Sequence, residues 1–206
     1  MDKPSLAEVE RLMAELVFPF YQVERDAVLP IEPRRFENDV EHSWSLAFLA
    51  CALAPLVDAS LDVGKEAQLA VAHDLVEVYA GDTRPWDSAH RRASKEQREA
   101  AALQRITAGF GDFGWIGATI GTYERKDTPE ARYVWAVDKL IILLVRHLDR
   151  GRYYVEAGIT KAKWDAQRAA HRRKAHAHPA VGAYYDELLA LFDVHSEYFA
   201  QIKEAD

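Results

Sequence analysis

One cysteine, Cys51, stands in a chain of 206 residues. No disulfide can therefore form within it, which fits a reducing compartment. No apolar run approaches the roughly 18 residues of a membrane-spanning helix, so no such span is expected. The opening MDKPSLAEVE is polar and acidic, unlike a secretory or transit leader, and a cytoplasmic location is expected. Positive charge is short: 26 Lys and Arg against 33 Asp and Glu leave a net charge of −7. That balance argues against a nucleic-acid binder or a protein held on an anionic membrane. Glycine is dense only in Gly109-Phe110-Gly111-Asp112-Phe113-Gly114-Trp115-Ile116-Gly117. A phosphate loop there would need a preceding strand and a Lys, Ser or Thr at the helix start, and neither is present. Convincing strand pairs, internal repeats and low-complexity segments are missing too.

What remains is helical periodicity. Leu6, Val9, Leu12, Met13, Leu16 and Val17 follow the i, i+3, i+4, i+7 pattern, with Ser5 and Glu8 spaced as a capping box. Residues 23–40 hold Pro30 and Pro33 and read as a loop. Helices are expected over about 40–56 and 65–79, the second stopped by Gly81, with a loop over 82–92. Ser94 and Gln97 suggest a second capping box, opening a helix to about Ala108, and another helix is expected over 115–125. Thr128 with Pro129 opens a strongly apolar helix to about Leu148, whose all-round burial marks it as central. A charged helix over 160–177 and a last one from Pro179 to about Ile202 complete an all-α, single-domain reading.

Four residues of metal-ligating type are strung along these helices: His42, the adjacent pair His73-Asp74, and Asp138. Imidazole nitrogens and carboxylate oxygens suit borderline and hard divalent ions. Glu77 lies one turn beyond His73, so a single helical turn would present two ligands and a spare carboxylate. Asp82 follows Gly81 in a turn near the same mouth. Asp138 sits in the apolar central helix, where an unpaired carboxylate is costly; a metal, Lys139 or Arg146 would have to offset it.

Three segments carry a family resemblance. Arg35-Phe36-Glu37-Asn38-Asp39-Val40-Glu41-His42-Ser43-Trp44 is similar to an R-x-E-(N/S)-V-x-E-H-S pattern. Ala72-His73-Asp74-Leu75-Val76-Glu77-Val78-Tyr79-Ala80-Gly81-Asp82 is similar to H-D-x-x-E-x-x-x-G-D. Thr128-Pro129-Glu130-Ala131-Arg132 through Val137-Asp138-Lys139-Leu140 is similar to E-A-x-x-V…D-K-L. Together they resemble the 5′-deoxynucleotidase-like branch of the HD-domain metal-dependent phosphohydrolases, over about residues 20–150, with helices 160–203 as a C-terminal extension. The resemblance implies one divalent ion (Mn²⁺, Co²⁺, Fe²⁺, Ni²⁺, Zn²⁺ and Mg²⁺ are not distinguished) held by His42, His73, Asp74 and Asp138. It implies Glu77 as the acid/base group, Asp82 as a shaper of the nucleotide and phosphate pocket, and Arg35 and Arg25 on the phosphate. Arg25 matches less closely, because its spacing to His42 differs from the family's. The implied reaction is hydrolysis of a nucleotide's phosphate ester by metal-activated water, first of a 5′-deoxynucleoside monophosphate, in a homodimer. Release of triphosphate or pyrophosphate from a (d)NTP would call for further cations such as Arg84, Arg91 or Arg92. A non-catalytic nucleotide-binding module is the remaining alternative, and retention of all the ligands plus Glu77 argues against it. His90 is the sole histidine between the His73-Asp74 pair and Asp138, which favours a mononuclear hydrolytic site over a di-iron one.

Other features have simpler readings. The basic stretch 146–178 reads as a solvated face, and His171, His176 and His178 as surface residues. Trp44 and Trp86 flank the motifs and are open to either base stacking or core packing. Trp115 and Trp135 are expected in the core, and Glu124 is a weaker pocket candidate.

Overall fold

The computed structural model describes residues 3–201. Its elements, in order, are α1 (Leu6–Leu12), α2 (Phe18–Phe20), β1 (Glu24–Val28), β2 (Phe36–Asn38), α3 (Asp39–Val57), α4 (Val63–Ala72), α5 (Glu77–Ala80), α6 (Ala89–Ala93), α7 (Lys95–Gly109), α8 (Gly114–Arg125), α9 (Pro129–Leu148), α10 (Arg152–Glu156), α11 (Lys161–Ala175) and α12 (Pro179–Val194). The fold is all-α apart from one small antiparallel sheet.

Helix α9 is the axis of the structure. The Thr128 hydroxyl accepts from the Ala131 amide, and Pro129 fills the first helical position, where its missing N–H costs nothing. Tyr133, Val134, Ala136, Val137, Leu140 and Ile141 are buried along it, and α3, α4, α8, α11 and α12 pack around it. A second apolar group, including Leu16, Phe20, Leu75, Val76, Ile106 and Ile120, lies around α5 and α7. Residues 73–76 carry the chain between the two.

Several expectations are corrected. Residues 23–40 are not a plain loop: β1 and β2 pair antiparallel, with Glu24 opposite Asn38 and Val28 opposite Phe36. Both strands are too short to display alternation, and Pro30 and Pro33 fall in the connection, where no ladder amide is needed. Asn38 then caps α3 through a capping box with Glu41. The helix expected over 65–79 breaks after Ala72. The His73 Nδ1 sits 2.8 Å from the Ala70 carbonyl, the acceptor that the Asp74 amide would otherwise use. The next amides reach back only three residues, Leu75 to Ala72 at 3.2 Å and Glu77 to Asp74 at 2.8 Å, tightening the turn that carries the motif. Gly81 ends α5 at φ 69°, a conformation that favours glycine. The Ser5–Glu8 box forms, but the Ser94–Gln97 box does not. Ser94 donates to the Arg91 carbonyl, and Ser88 caps α6 inside the expected loop. Helix α12 stops at Val194, because a turn at Ser196–Tyr198 folds Tyr198 and Phe199 onto Phe192. The expected end at Ile202 lies outside the described residues.

Helix α3, with 19 residues, is long and apolar enough by length and composition to cross a membrane. Here its Leu46, Ala50 and Ala54 face is buried and packs toward α4 and α9. Trp44 and Phe48, stacked at 5.6 Å, and Leu56 point outward.

Glu66 is fully buried on α4, and neither carboxylate oxygen has a hydrogen-bond partner among the described residues. Burial, with Glu130 nearby, pushes its pKa up to about 7. An acid raised on folding keeps its proton where the unfolded chain has released it, so stability falls as pH rises from the ordinary carboxylate range through 7. Glu66→Gln should therefore raise the melting temperature at pH 8 by roughly 3 °C or more, with a gap that narrows by pH 5. Thermal melts at the two pH values check this; an equal shift at both would contradict it.

Candidate metal and phosphoester site

The four ligand-type residues, far apart in sequence, meet where α3, the turn after α4, and α9 come together. One donor atom each of His42, His73 and Asp138 lies within 4.8 Å of the others. His42 Nε2 is 3.2 Å from Asp138 Oδ1, and His73 Nε2 is 2.9 Å from Asp74 Oδ2. The two imidazole rings stand 5.5 Å apart. His42, His73 and Asp138 are almost wholly buried.

The carbonyl of Ala70 can only accept, so the bond to it places a proton on His73 Nδ1. In the neutral ring Nε2 then presents its lone pair toward the cluster. That atom is buried, with Asp74 Oδ2 as its close neighbour. A lone pair and a carboxylate oxygen converging in this way repel unless a proton or a metal ion lies between them. His42 is oriented similarly, with Nδ1 3.5 Å from Glu37 Oε2 on its other side. Such outer partners fix the ring and tautomer of a metal-bound histidine. Two imidazoles and two carboxylates thus fit a divalent ion by donor chemistry and by the orphaned Nε2.

Electrostatics inside the cluster are strong. Burial alone would lower the pKa of His42, but Asp138 and Glu37 outweigh it and raise it to about 9. Burial would raise Asp138, yet Lys139, His42 and His73 hold it well below the usual carboxylate range. Asp74 is likewise lowered against its burial, by His73 and Arg25. A second trio, Asp39, Asp74 and Glu77, also brings one oxygen each within 4.8 Å. Burial and then Asp74, Asp39 and Asp82 push Glu77 well above its ordinary value. Lys95 Nζ, 3.9 Å away, is its ion-pair partner.

Arg25, on β1, reaches into this cluster. Its Nη1 donates to Asp39 at 2.8 Å and to Asp74 at 2.7 Å. Asp82 lines the same space as Glu77, in two adjoining cavities of about 550 and 360 Å³. The other expected residues lie elsewhere. Arg35 pairs with Glu41 at 2.5 Å on the surface, and Trp44 is exposed beside Phe48. Neither lines either of these two cavities, nor does Glu124. His90 is exposed. Trp86 does line the smaller cavity, with Arg84 and Arg92.

Sequence reading missed several contributors. Asp39 and Glu37 are buried partners of Arg25 and His42; only their place beside the His42 motif hinted at this. The basic stretch is not simply a solvated face, because Arg146, Arg168, His171 and Lys174 line the 360 Å³ cavity. His171, read as a surface residue, is lowered to about 4 by burial and by Lys139 and Lys174. The spacing 164, 167, 168, 171, 174 on α11 is the signal that could have shown a common face.

Comparison with known proteins agrees with this geometry. The HD-domain profile matches residues 21–180. The crystal structure of a predicted metal-dependent phosphohydrolase from Magnetospirillum magnetotacticum MS-1 superposes with a TM-score of 0.77. It is 31% identical over 95% of this chain and 96% of that one. A protein of Pyrococcus horikoshii OT3 shares the fold at a TM-score of 0.58 and 20% identity, covering 92% of this chain and 99% of its own. The 5′-deoxynucleotidase HDDC2 of Danio rerio is 31% identical over 114 residues, 54% of either chain, so the match spans about half the length of that curated relative. The chain belongs to the HD-domain family.

If the four donors hold one ion, Mn²⁺ or Co²⁺ at about 100 times its dissociation constant should raise the melting temperature by roughly 5–10 °C. The double variant His73→Ala/Asp74→Ala should lose that shift. A shift that survives in the double variant would place the ion elsewhere.

Proposed function

We propose that this protein is a metal-dependent phosphohydrolase acting on a nucleotide, with a 5′-deoxynucleoside monophosphate as first substrate. The observation that carries the reading is one cavity lined by Asp74, Glu77 and Asp138 and also by Trp86, Tyr154, Trp164 and Tyr185. Its charged lining suits a phosphate, and its apolar lining suits a base. His42, His73, Asp74 and Asp138 would hold one divalent ion. When bound, it would neutralise phosphate oxygen charge and lower the pKa of water toward neutrality.

The chain's own residues supply the rest. Arg25 is fixed by Asp39, and its forked guanidinium suits a phosphate oxygen as well as a carboxylate. Lys139 and Lys174 add positive charge on the cavity wall. Glu77 faces both cavities beside the cluster, where it can hand a proton to the departing ester oxygen. Asp82, next along both walls, shapes the mouth. The whole chain is read as one domain, with α11 and α12 completing the cavity wall.

A second reading, release of triphosphate or pyrophosphate from a (d)NTP, is favoured by one feature. Arg84 and Arg92 stand on the cavity wall in addition to Arg25, Lys95, Lys139 and Lys174.

The test is product analysis on deoxy- and ribonucleoside mono- and triphosphates with Mn²⁺ or Co²⁺ added. Inorganic phosphate from monophosphates is expected, with Glu77→Gln slowing turnover about 10²–10⁴-fold while the metal-induced thermal shift is kept. Tripolyphosphate or pyrophosphate from triphosphates would establish the second reading, and full activity in Glu77→Gln would remove its acid role.

A homodimer is part of the same proposal. The outward face of α3, with Trp44, Phe48, Ala52 and Leu56 at successive turns, is apolar and exposed, as a self-associating surface would be. Light scattering should give twice the chain mass, reduced to one by Trp44→Glu/Phe48→Glu. A monomeric wild type would refute it.

A further inference from the structure

The cavity has a polar feature at its far end that phosphate chemistry does not use. Helix α9 runs along the wall with Asp138, Lys139, Ile142, Leu143 and Arg146 facing the space. Eight residues separate Asp138 from Arg146, about 12 Å of helical rise. That is close to the span from the phosphorus of a nucleotide to the edge of its base.

Arg146 meets Asp26 of β1 there, and both side chains are buried, at 5% and 8% exposure. Each is anchored on one side. One Asp26 oxygen accepts from the Tyr153 hydroxyl, and the Arg146 guanidinium lies over the Tyr153 ring at 3.8 Å. On the other side each has a spare atom. Asp26 Oδ2 and Arg146 Nη1 find no hydrogen-bond partner among the described residues. A structural ion pair would close on itself, yet these two approach only to 3.9 Å. A buried donor and a buried acceptor, both unpaired, are costly unless something else satisfies them. Both line the same cavity as Glu77 and Asp138.

A nucleobase edge offers what this pair lacks: an N–H beside a carbonyl oxygen or ring nitrogen. We propose that Asp26 and Arg146 form the base-reading end of the cavity, Asp26 accepting a hydrogen bond from the base and Arg146 donating one to it. This rests on the nucleotide reading above and deepens it: the substrate carries a base, and the base is recognised by hydrogen bonds. A site built in this way rejects an analogue that lacks the matching groups, because its own polar atoms are then left unpaired.

The experiment compares deoxynucleoside 5′-monophosphates with deoxyribose 5-phosphate, which has the same ester and no base. Wild type, Asp26→Asn and Arg146→Gln are assayed with Mn²⁺, after melts confirm that each is folded. Wild type should prefer nucleotides in kcat/KM by about 10-fold or more. Each variant should lower the ratio of nucleotide to base-free activity roughly 10–100-fold, mainly through KM. Asp26→Asn, which can still accept from Tyr153, should also reorder the bases. Equal use of both ester types by wild type, or a loss in the variants that falls equally on both, would overturn the subsite. Should no ester be cleaved at all, calorimetry with nucleosides that carry no phosphate decides separately. Binding lost in both variants would retain the subsite without the phosphohydrolase reading, and absence of nucleoside binding to wild type would overturn it.

Discussion

A carboxylate set into the most apolar helix of the protein must be compensated, and the arrangement around Asp138 follows from that requirement. Left alone it would take up a proton or destabilise α9. Instead Lys139 sits beside it, the Tyr123 hydroxyl donates at 3.4 Å, and His42 closes to 3.2 Å from α3. Asp74 makes the same demand one layer away and draws in Arg25 from β1. Elements distant in sequence are therefore tied to one point by charge. The small sheet exists where Arg25 and Glu37 have to be delivered to it.

The excess of carboxylates also explains the local backbone. His73 turns its Nδ1 to the Ala70 carbonyl, which breaks the helix and frees Nε2 for the cluster. A straight helix through residues 65–79 would have left that carbonyl to the Asp74 amide. The break then lets α5 start with Glu77 at the cavity wall, and Gly81 turns the chain so that Asp82 lies beside it. The cavity beside this charged cluster is lined by residues of both α9 and α11.

Most of the helices were legible in the sequence because they depend on short-range pattern. Thr128-Pro129 starts α9 as its capping chemistry predicts, and His42, His73 and Asp138, singled out as candidate ligands, do converge. Arg25 was legible as a residue but not as a partner of Asp39 and Asp74, since a five-residue strand with an irregular register leaves no periodic mark. Arg35 and Trp44, flanking His42 in the same motif, lie outside the cavities: Arg35 pairs with Glu41, and Trp44 points outward from the opposite side of α3. Arg146, His171 and Lys174 looked like solvated charge because charge count says nothing about which side of a helix is covered. Only the packing of α11 against α9 turns that side inward. Ser94 stands at the start of α7 but does not cap it through its side chain, for a similarly local reason: its hydroxyl is spent on the Arg91 carbonyl.

The central claim is that the buried cluster is built around a cation at the meeting point of α3, α4 and α9. Anomalous diffraction from crystals grown with Mn²⁺ tests it most directly. One peak is predicted, at about 2.0–2.4 Å from donor atoms of His42, His73, Asp74 and Asp138, with Arg25 withdrawn from Asp74 and still held by Asp39. No peak at the cluster, with Arg25 still bridging Asp39 and Asp74, would mean that the arginine itself is the resident cation and would contradict the claim.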